Sequence, residues 1–427
     1  MELAILARIE PGAPMDPIPP TSLLHLEHFA AGTPRDEIAR LRRAHRLLWQ
    51  TDGYARGGHW LVFQRDDIDF VLKNPDRFTN AHGPLVEDTP NVILAELQQS
   101  MTFQDPPAHR ALRALGDLAF KPELLAERRA LMQTMAREIL DELGDRRECE
   151  FIGEVAMQLP MRILFRLLGV RESDHARVVE LTNTLTLAND PDFAENRLAG
   201  FQAGIDLIAF GESLGADLRA NPRDSLSLAM LEAERGGKRL TDREFGRLFQ
   251  NLVVGGVETT RNTLGWLLYE LIRHPDQYAR LQREPALVAG AVEEILRFRN
   301  TVVYLRRTAT HDQEFAGESL RAGDKLVCLL AAVNRDERYF EDPDRFDIGR
   351  DPAHNRRNMR TFGSGPHFCI GHQQARMNLE IMTAEIAARW TNLRLVSPPV
   401  HFRSNFMDGF KSMRIAFDPV ADPRRPG

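Results

Sequence analysis

The chain has 427 residues, with 55 Lys plus Arg against 61 Asp plus Glu and a net charge of −6, so the basic excess usual in nucleic-acid binders is missing. Apolar residues make up 43% and charged residues 27%, which is ordinary globular usage and excludes a largely disordered or fibrous chain. The longest uninterrupted apolar run, 326–333, is eight residues, where a membrane-spanning helix needs about 20.

In chain order, the first 20 residues carry five prolines and predict an extended arm over 1–24. Glu2 stands where a signal peptide would be basic, which argues against export. Cys149, Cys328 and Cys369 lie far apart with no CxxC pair. That pattern excludes a disulfide framework and zinc-ligand spacing, and a reducing, cytoplasmic compartment is the expectation. Helices are predicted over 35–50, 66–73, 107–119, 123–143, 154–169, 173–187, 195–219, 242–273, 276–283, 286–298 and 371–389. The signals are apolar residues at helical spacing, with Asp, Ser or Pro starts and Gly or His-Pro stops. Thr241 and Glu244 form a capping-box start for the longest of them, and His274-Pro275 ends it. Strand-like runs cover 58–64, 303–310, 325–330, 392–396, 401–404 and 412–417. Residues 334–368 show little period and many turn residues. A loop that long is ordinarily functional, and this one leads into Cys369. The expected architecture is one mainly α unit over 1–427 with a small β-rich region.

Residues 362–371 read FGSGPHFCIG. A thiolate that ligates a metal must stay deprotonated and shielded, and backbone N–H groups aimed at sulfur tune its basicity. Glycines permit the close backbone approach and left-handed turns of such a loop. Gly371 lets a helix begin just after the cysteine, so its positive end faces the sulfur. A lone cysteine beside a glycine turn is ordinarily structural; a full motif at fixed spacing is not. Phe362, Gly363, Gly365, His367, Cys369 and Gly371 match the FGxGxHxCxG haem-thiolate signature, and the chain resembles the cytochrome P450 family.

Other segments carry the same resemblance over about residues 25–418. Glu294 and Arg297 form an ExxR pair on one helix face. Most such pairs are solvated, but the PDRF run containing Arg345 resembles the family's later element. The resemblance implies a structural network of Glu294, Arg297 and Arg345 beneath the cysteine loop. Gly255 and Gly256 sit inside the longest helix, where each glycine costs about 1 kcal/mol relative to alanine. Helix packing is one explanation. An oxygen-binding groove is the other, in which the Thr259 hydroxyl bonds the carbonyl of Gly255 one turn back and Glu258 precedes it. DPPAHRALR places His109 and Arg113 on one face. A solvated basic face is the usual reading; the resemblance instead implies a clamp for haem propionates, joined by Arg307 of RRTAT and His367.

The resemblance implies a monooxygenase that activates O2 on haem b. Cys369 would ligate the iron, and Glu258 and Thr259 would deliver protons. The chain carries no flavin or NAD(P)H fingerprint and no iron–sulfur cysteine cluster, so electrons would come from a ferredoxin with its ferredoxin reductase. Arg110, Arg356, Arg357, Arg360 and Arg376 are equally a docking face for an acidic ferredoxin or ordinary solvated arginines. By family topology the substrate pocket takes in Val92, Leu94, Leu97, Phe103, Leu187, Phe249, Leu252, Val253, Val302, Val303, Tyr304 and Phe406. That set is mostly apolar and implies a hydrophobic small-molecule substrate, such as a steroid, terpenoid or fatty-acid-like molecule. NDPDF, RRTAT and the 404–411 stretch resemble a bacterial subgroup that oxidises steroids, sterol side chains and branched lipids. Competing readings are an H2O2-driven peroxygenase, against which the Glu258-Thr259 pair argues, and a non-catalytic haem sensor, against which the apolar pocket argues. A cofactor-free helical scaffold leaves the cysteine signature unexplained.

Overall fold

The computed structural model describes residues 22–51, 57–120, 122–195, 197–234 and 239–420. Helices dominate, and their cores are the apolar stripes read from the sequence. The predicted arm over 1–24 falls mostly outside the described residues, but Leu23 and Leu24 are buried against Phe29 and Ile38. The extended arm therefore does not reach residue 24.

The helix predicted over 35–50 stops early. Arg35–Ala44 is helical, and Leu47–Gln50 is an edge strand paired antiparallel with His59–Val62. LLWQ satisfies helical spacing, but cross-strand pairing of Trp49 with Trp60 outweighs local propensity. The main sheet has five strands, in the order Leu47–Gln50, His59–Val62, Lys325–Leu329, Tyr304–Ala309, Phe78–Thr79. Lys325–Leu329 lies at its centre and is buried along its whole length, so its apolar run needed no alternation. A second sheet joins Glu148–Glu150, Arg414–Pro419 and Trp390–Leu395.

Two helices cross at close range. Arg197–Ala220 packs on Asp242–Gly256, and an added Cβ at Gly246 would lie 2.4 Å from the Ile208 carbonyl. The glycine is required by that backbone approach. The predicted 242–273 helix is interrupted: Asp242–Gly256 ends at Val257 and Glu258–Arg273 begins. The Val257 N–H reaches the Val253 carbonyl only at 3.4 Å, so the ladder is stretched where the paired glycines sit. The expected capping box at Thr241 and Glu244 is present.

The long irregular segment 334–368 contains one helix, Pro352–Asn358, and a short 3-10 turn at Gly365–His367. Beneath it, Arg297 and Glu294 form a fully buried pair. Arg297 Nε and Nη2 donate to the two Glu294 oxygens at 2.8 and 2.7 Å. Arg297 also donates to the carbonyls of Asn334 and Pro343. Arg345 corrects the sequence expectation: its side chain is exposed and pairs with Asp347, and only its carbonyl reaches Arg297, at 3.3 Å. Arg350 and Asn355 complete the network instead, donating to Glu294 at 3.3 and 3.2 Å. Their spacing gave no signal, because Arg350 approaches Glu294 from a loop and Asn355 from the separate short helix Pro352–Asn358.

Candidate active site

Gly365 positions the cysteine loop. Its φ is +73°, and an added Cβ would lie 2.3 Å from the Leu72 carbonyl, so only glycine lets the loop rest on helix Arg65–Lys73. The Cys369 N–H donates to the Phe362 carbonyl at 3.0 Å, closing the loop. Helix His372–Arg389 starts immediately after, with Gly371 as its cap. Burial pushes the Cys369 thiol up, while the Gly371 N–H and then Arg113 and Arg376 pull it down.

One cavity of about 300 Å³ brings Cys369, Phe362, His367 and Gly371 together with Gly255, Gly256 and Thr259 from the interrupted helix. Gly255 faces open space, with nothing within 4 Å of an added Cβ. Thr259 Oγ1 donates to the Gly255 carbonyl at 2.9 Å, as its spacing implied. Glu258 differs from the expectation. It is absent from the cavity wall; its side chain is 1% exposed and pairs with Arg261. Burial pushes its pKa up, toward the neutral form, and Arg261 opposes this.

His109, Arg113, Arg307 and His367 do converge. The two imidazole rings lie 3.9 Å apart. Burial, then the Arg113 charge, lowers the pKa of His109 to about 4. Burial, then Arg307, lowers that of His367 to about 2. Burial likewise lowers Arg307 to about 10. His109 Nδ1 and His367 Nε2 are buried without a hydrogen-bond partner among the described residues. Part of Arg113 is used within the protein, since Nη1 donates to the Phe368 carbonyl at 2.5 Å. Arg307 Nη1 holds Asn80 Oδ1 at 2.7 Å. So many positive and donor groups suit a dianionic carboxylate pair. With the cysteine loop and the open glycine face, these residues fit haem b.

The expected substrate pocket is largely corrected. Of the residues named in the sequence, Leu252 and Val302 line the cavity. Val92 is exposed, and Leu94 is absent from the wall. Phe103 packs against Gly83, while Phe249 and Val253 belong to the core between helices. Val303, Tyr304 and Phe406 belong to the apolar cluster that includes Phe29 and Leu61, and the Tyr304 hydroxyl accepts from the Val86 N–H. The apolar wall comes instead from Ile163, Leu164 and Leu167 on helix Gln158–Leu168, whose spacing reads as ordinary core.

The expected arginine face is partly neutralised. Arg356 and Arg376 both donate to Glu293, and Arg360 to Asp69. Arg110 and Arg357 remain exposed.

A family model described as Cytochrome P450 matches residues 210–392. The methyl-branched lipid omega-hydroxylase of Mycobacterium tuberculosis (strain CDC 1551 / Oshkosh) is 33% identical over 390 residues, covering 89% of this chain and 90% of that protein. The steroid C26-monooxygenase of the same strain is 33% identical over 81% of this chain and 91% of its own length. A Mycobacterium marinum cytochrome P450 solved in complex with pseudoionone has a TM-score of 0.84 at 31% identity, covering 96% of this chain and all of that one. The chain belongs to the cytochrome P450 family. It is an oxidoreductase, a monooxygenase whose cofactor is haem b. Among the described residues no helix is long and apolar enough to cross a membrane.

Proposed function

We propose that this enzyme hydroxylates a hydrophobic molecule with a branched-aliphatic or steroid-like body, with electrons delivered by a ferredoxin and its reductase. The observation that carries this reading is the single cavity on which Cys369, Gly255, Gly256 and Thr259 meet an apolar wall. The names of the lipid, steroid and terpenoid monooxygenases among its relatives support the substrate class.

Each residue has a distinct task. Cys369 ligates the iron through its thiolate, held in place by the Phe362 carbonyl and softened by the Gly371 N–H. His109, Arg113, Arg307 and His367 anchor the propionates. The haem, when bound, supplies the dioxygen chemistry. Thr259 and Glu258 control where protons enter, while Leu252, Val302 and Leu164 exclude water and orient the substrate. Exposed Arg110 and Arg357 form the remaining part of a ferredoxin-docking face.

A spectral-shift screen of branched lipids, steroids and terpenoids tests the substrate class. Binders should be confined to molecules with a large apolar body, and one should give product with ferredoxin, reductase and NAD(P)H. Cys369→Ser should abolish the thiolate-type ferrous–CO spectrum and product formation. Retention of both in that variant overturns the ligand assignment.

A further inference from the structure

The 404–411 stretch lies in a C-terminal hairpin, whose arms Val400–His401 and Phe410–Ser412 pair antiparallel. Its tip runs along residues 301–303. The Val303 N–H donates to the Phe406 carbonyl at 2.9 Å, and the Asp408 N–H donates to the Thr301 carbonyl at 2.8 Å. Between them Val302 is bridged to Met407. Thr301 and Val302 line the haem cavity, whereas no residue of 404–411 does. Thr301 is tied onward to the interrupted helix. Thr263 Oγ1 donates to the Thr259 carbonyl at 2.8 Å, so it accepts from Thr301 Oγ1 at 2.9 Å, a hydroxyl having one proton to give.

Asp408 is held from the other end of the chain. Its Oδ2 accepts from Thr33 Oγ1 at 2.8 Å and from Arg35 Nη2 at 2.6 Å, and its side chain is 1% exposed. Arg35 opens helix Arg35–Ala44, and its guanidinium carbon lies 5.6 Å from the Trp266 ring on helix Glu258–Arg273. The other carboxylate oxygen faces the backbone of Gly32. That residue has a φ of +91°, and an added Cβ would lie 3.3 Å from Asp408 Oδ1 and 3.4 Å from His401 Nδ1. Asp408 Oδ1 has no hydrogen-bond partner among the described residues, so the side-chain donors on this carboxylate meet at Oδ2. One residue thus joins the N-terminal segment, through its side chain, to the cavity wall, through its N–H.

We propose that Asp408 is a positioning residue for substrate selection: through it, Thr33 and Arg35 set where Thr301 and Val302 stand in the cavity wall. This role rests on the reading of that cavity as the substrate chamber. Asp408 touches neither the cavity nor the cofactor site, so it acts only through the Thr301 carbonyl and the tip it belongs to. Charge-assisted hydrogen bonds are short and directional, and a close-packed interior transmits a displacement rather than absorbing it. Loss of the donors on Oδ2 therefore lets the tip recede, and Thr301 and Val302 recede with it. An apolar substrate has few polar anchors, so the place of this wall decides which of its carbons is held toward the haem.

Titration of the holoenzyme with 4-phenylimidazole and with imidazole tests this without turnover. Both bind the iron through nitrogen and shift the Soret band, but only the first carries an apolar ring to meet the wall. The comparison reads the wall whatever the natural substrate is, so it can succeed where the branched-lipid or steroid reading fails, and the reverse. Asp408→Leu and Arg35→Met should each weaken 4-phenylimidazole severalfold and leave imidazole unchanged. Asp408→Asn keeps an acceptor for Thr33 and Arg35 and should restore most of the affinity. Combining Asp408→Leu with Arg35→Met removes both charges together, which an interior tolerates better than the loss of one. Stability should then recover while the selective loss of 4-phenylimidazole persists. If the single variants do not hold their fold, Thr33→Val, which removes one donor at nearly constant shape, should give a smaller loss of the same kind. Parent affinity for 4-phenylimidazole in the double variant and in Thr33→Val overturns the proposal. An equal loss of both ligands also overturns it, because a loosened cofactor site and not a displaced wall would then be the cause.

Discussion

The Thr259 hydroxyl bonds the Gly255 carbonyl at 2.9 Å across the break at Val257. This bond takes the carbonyl that a regular helix would give to the Thr259 N–H region, and it fixes the hydroxyl at the cavity wall. Its lone pairs remain available to accept a proton donor. Thr259→Ala should therefore lower product formed per NAD(P)H and divert the difference to H2O2, with ligand affinity little changed. Thr259→Ser should restore most of the yield. An unchanged yield in Thr259→Ala would remove the threonine from the proton route and favour peroxide-driven chemistry, which added H2O2 tests directly.

The cluster of His109, Arg113, Arg307 and His367 carries the guanidinium charges of Arg113, which meets Asp117 at 3.7 Å, and of the buried Arg307. An Arg113→Ala, Arg307→Ala double variant should leave a carboxylate of the cofactor underpaired, at about 1–3 kcal/mol for each lost partner. Haem transfer to an acceptor protein should accelerate, with the thiolate spectrum intact in the remaining holoenzyme. Because Arg113 also holds the Phe368 carbonyl, Arg307→Ala alone separates cofactor binding from loop support. Unchanged haem loss in both variants would sink the clamp.

Arg297 and Glu294 are both fully buried. Arg297→Met should cost about 3–5 kcal/mol, because it removes the bidentate partner of a fully buried carboxylate. Adding Glu294→Gln should recover part of that loss. Arg345→Ala should change stability by less than about 0.5 kcal/mol, as for other exposed positions. Denaturant unfolding of all three variants measures the contrast, and an equal loss in Arg345→Ala would restore that side chain to the network.

Glu337 predicts an acid-sensitive contact. The hydrogen bond from Arg42 lowers its pKa to about 2. A carboxyl depressed in the folded state stabilises above its unfolded value, and that contribution fades as pH falls through the folded value. Between about pH 4.5 and pH 2 the parent should therefore lose stability more steeply than Glu337→Gln. Thermal melts across that range would show parallel curves if the contact contributes nothing.

The chemistry was legible where it sits in one contiguous motif. FGSGPHFCIG, GGVETT and DPPAHRALR each carry their own spacing, and the cysteine loop, the threonine bond and the cationic cluster follow from them. The substrate wall was not legible, because Ile163, Leu164 and Leu167 carry the same helical period as core residues. Arg350 and Asn355 were hidden for another reason: they reach Glu294 from a loop and from a separate short helix, and sequence spacing says nothing about how those pack on the Glu294 helix. Arg261 left a usable signal, since it stands three residues after Glu258 and must share its helix face. The break at Val257 left only the paired glycines, which are equally consistent with close helix packing.

The crossing at Gly246 has a consequence for redesign. Backbone meets backbone there, so a larger side chain at Gly246 or Gly211 would force the two helices apart along their length. That boundary cannot be traded for space. Enlarging the binding chamber for bulkier molecules must instead trim Ile163, Leu164 or Leu167, whose side chains line it.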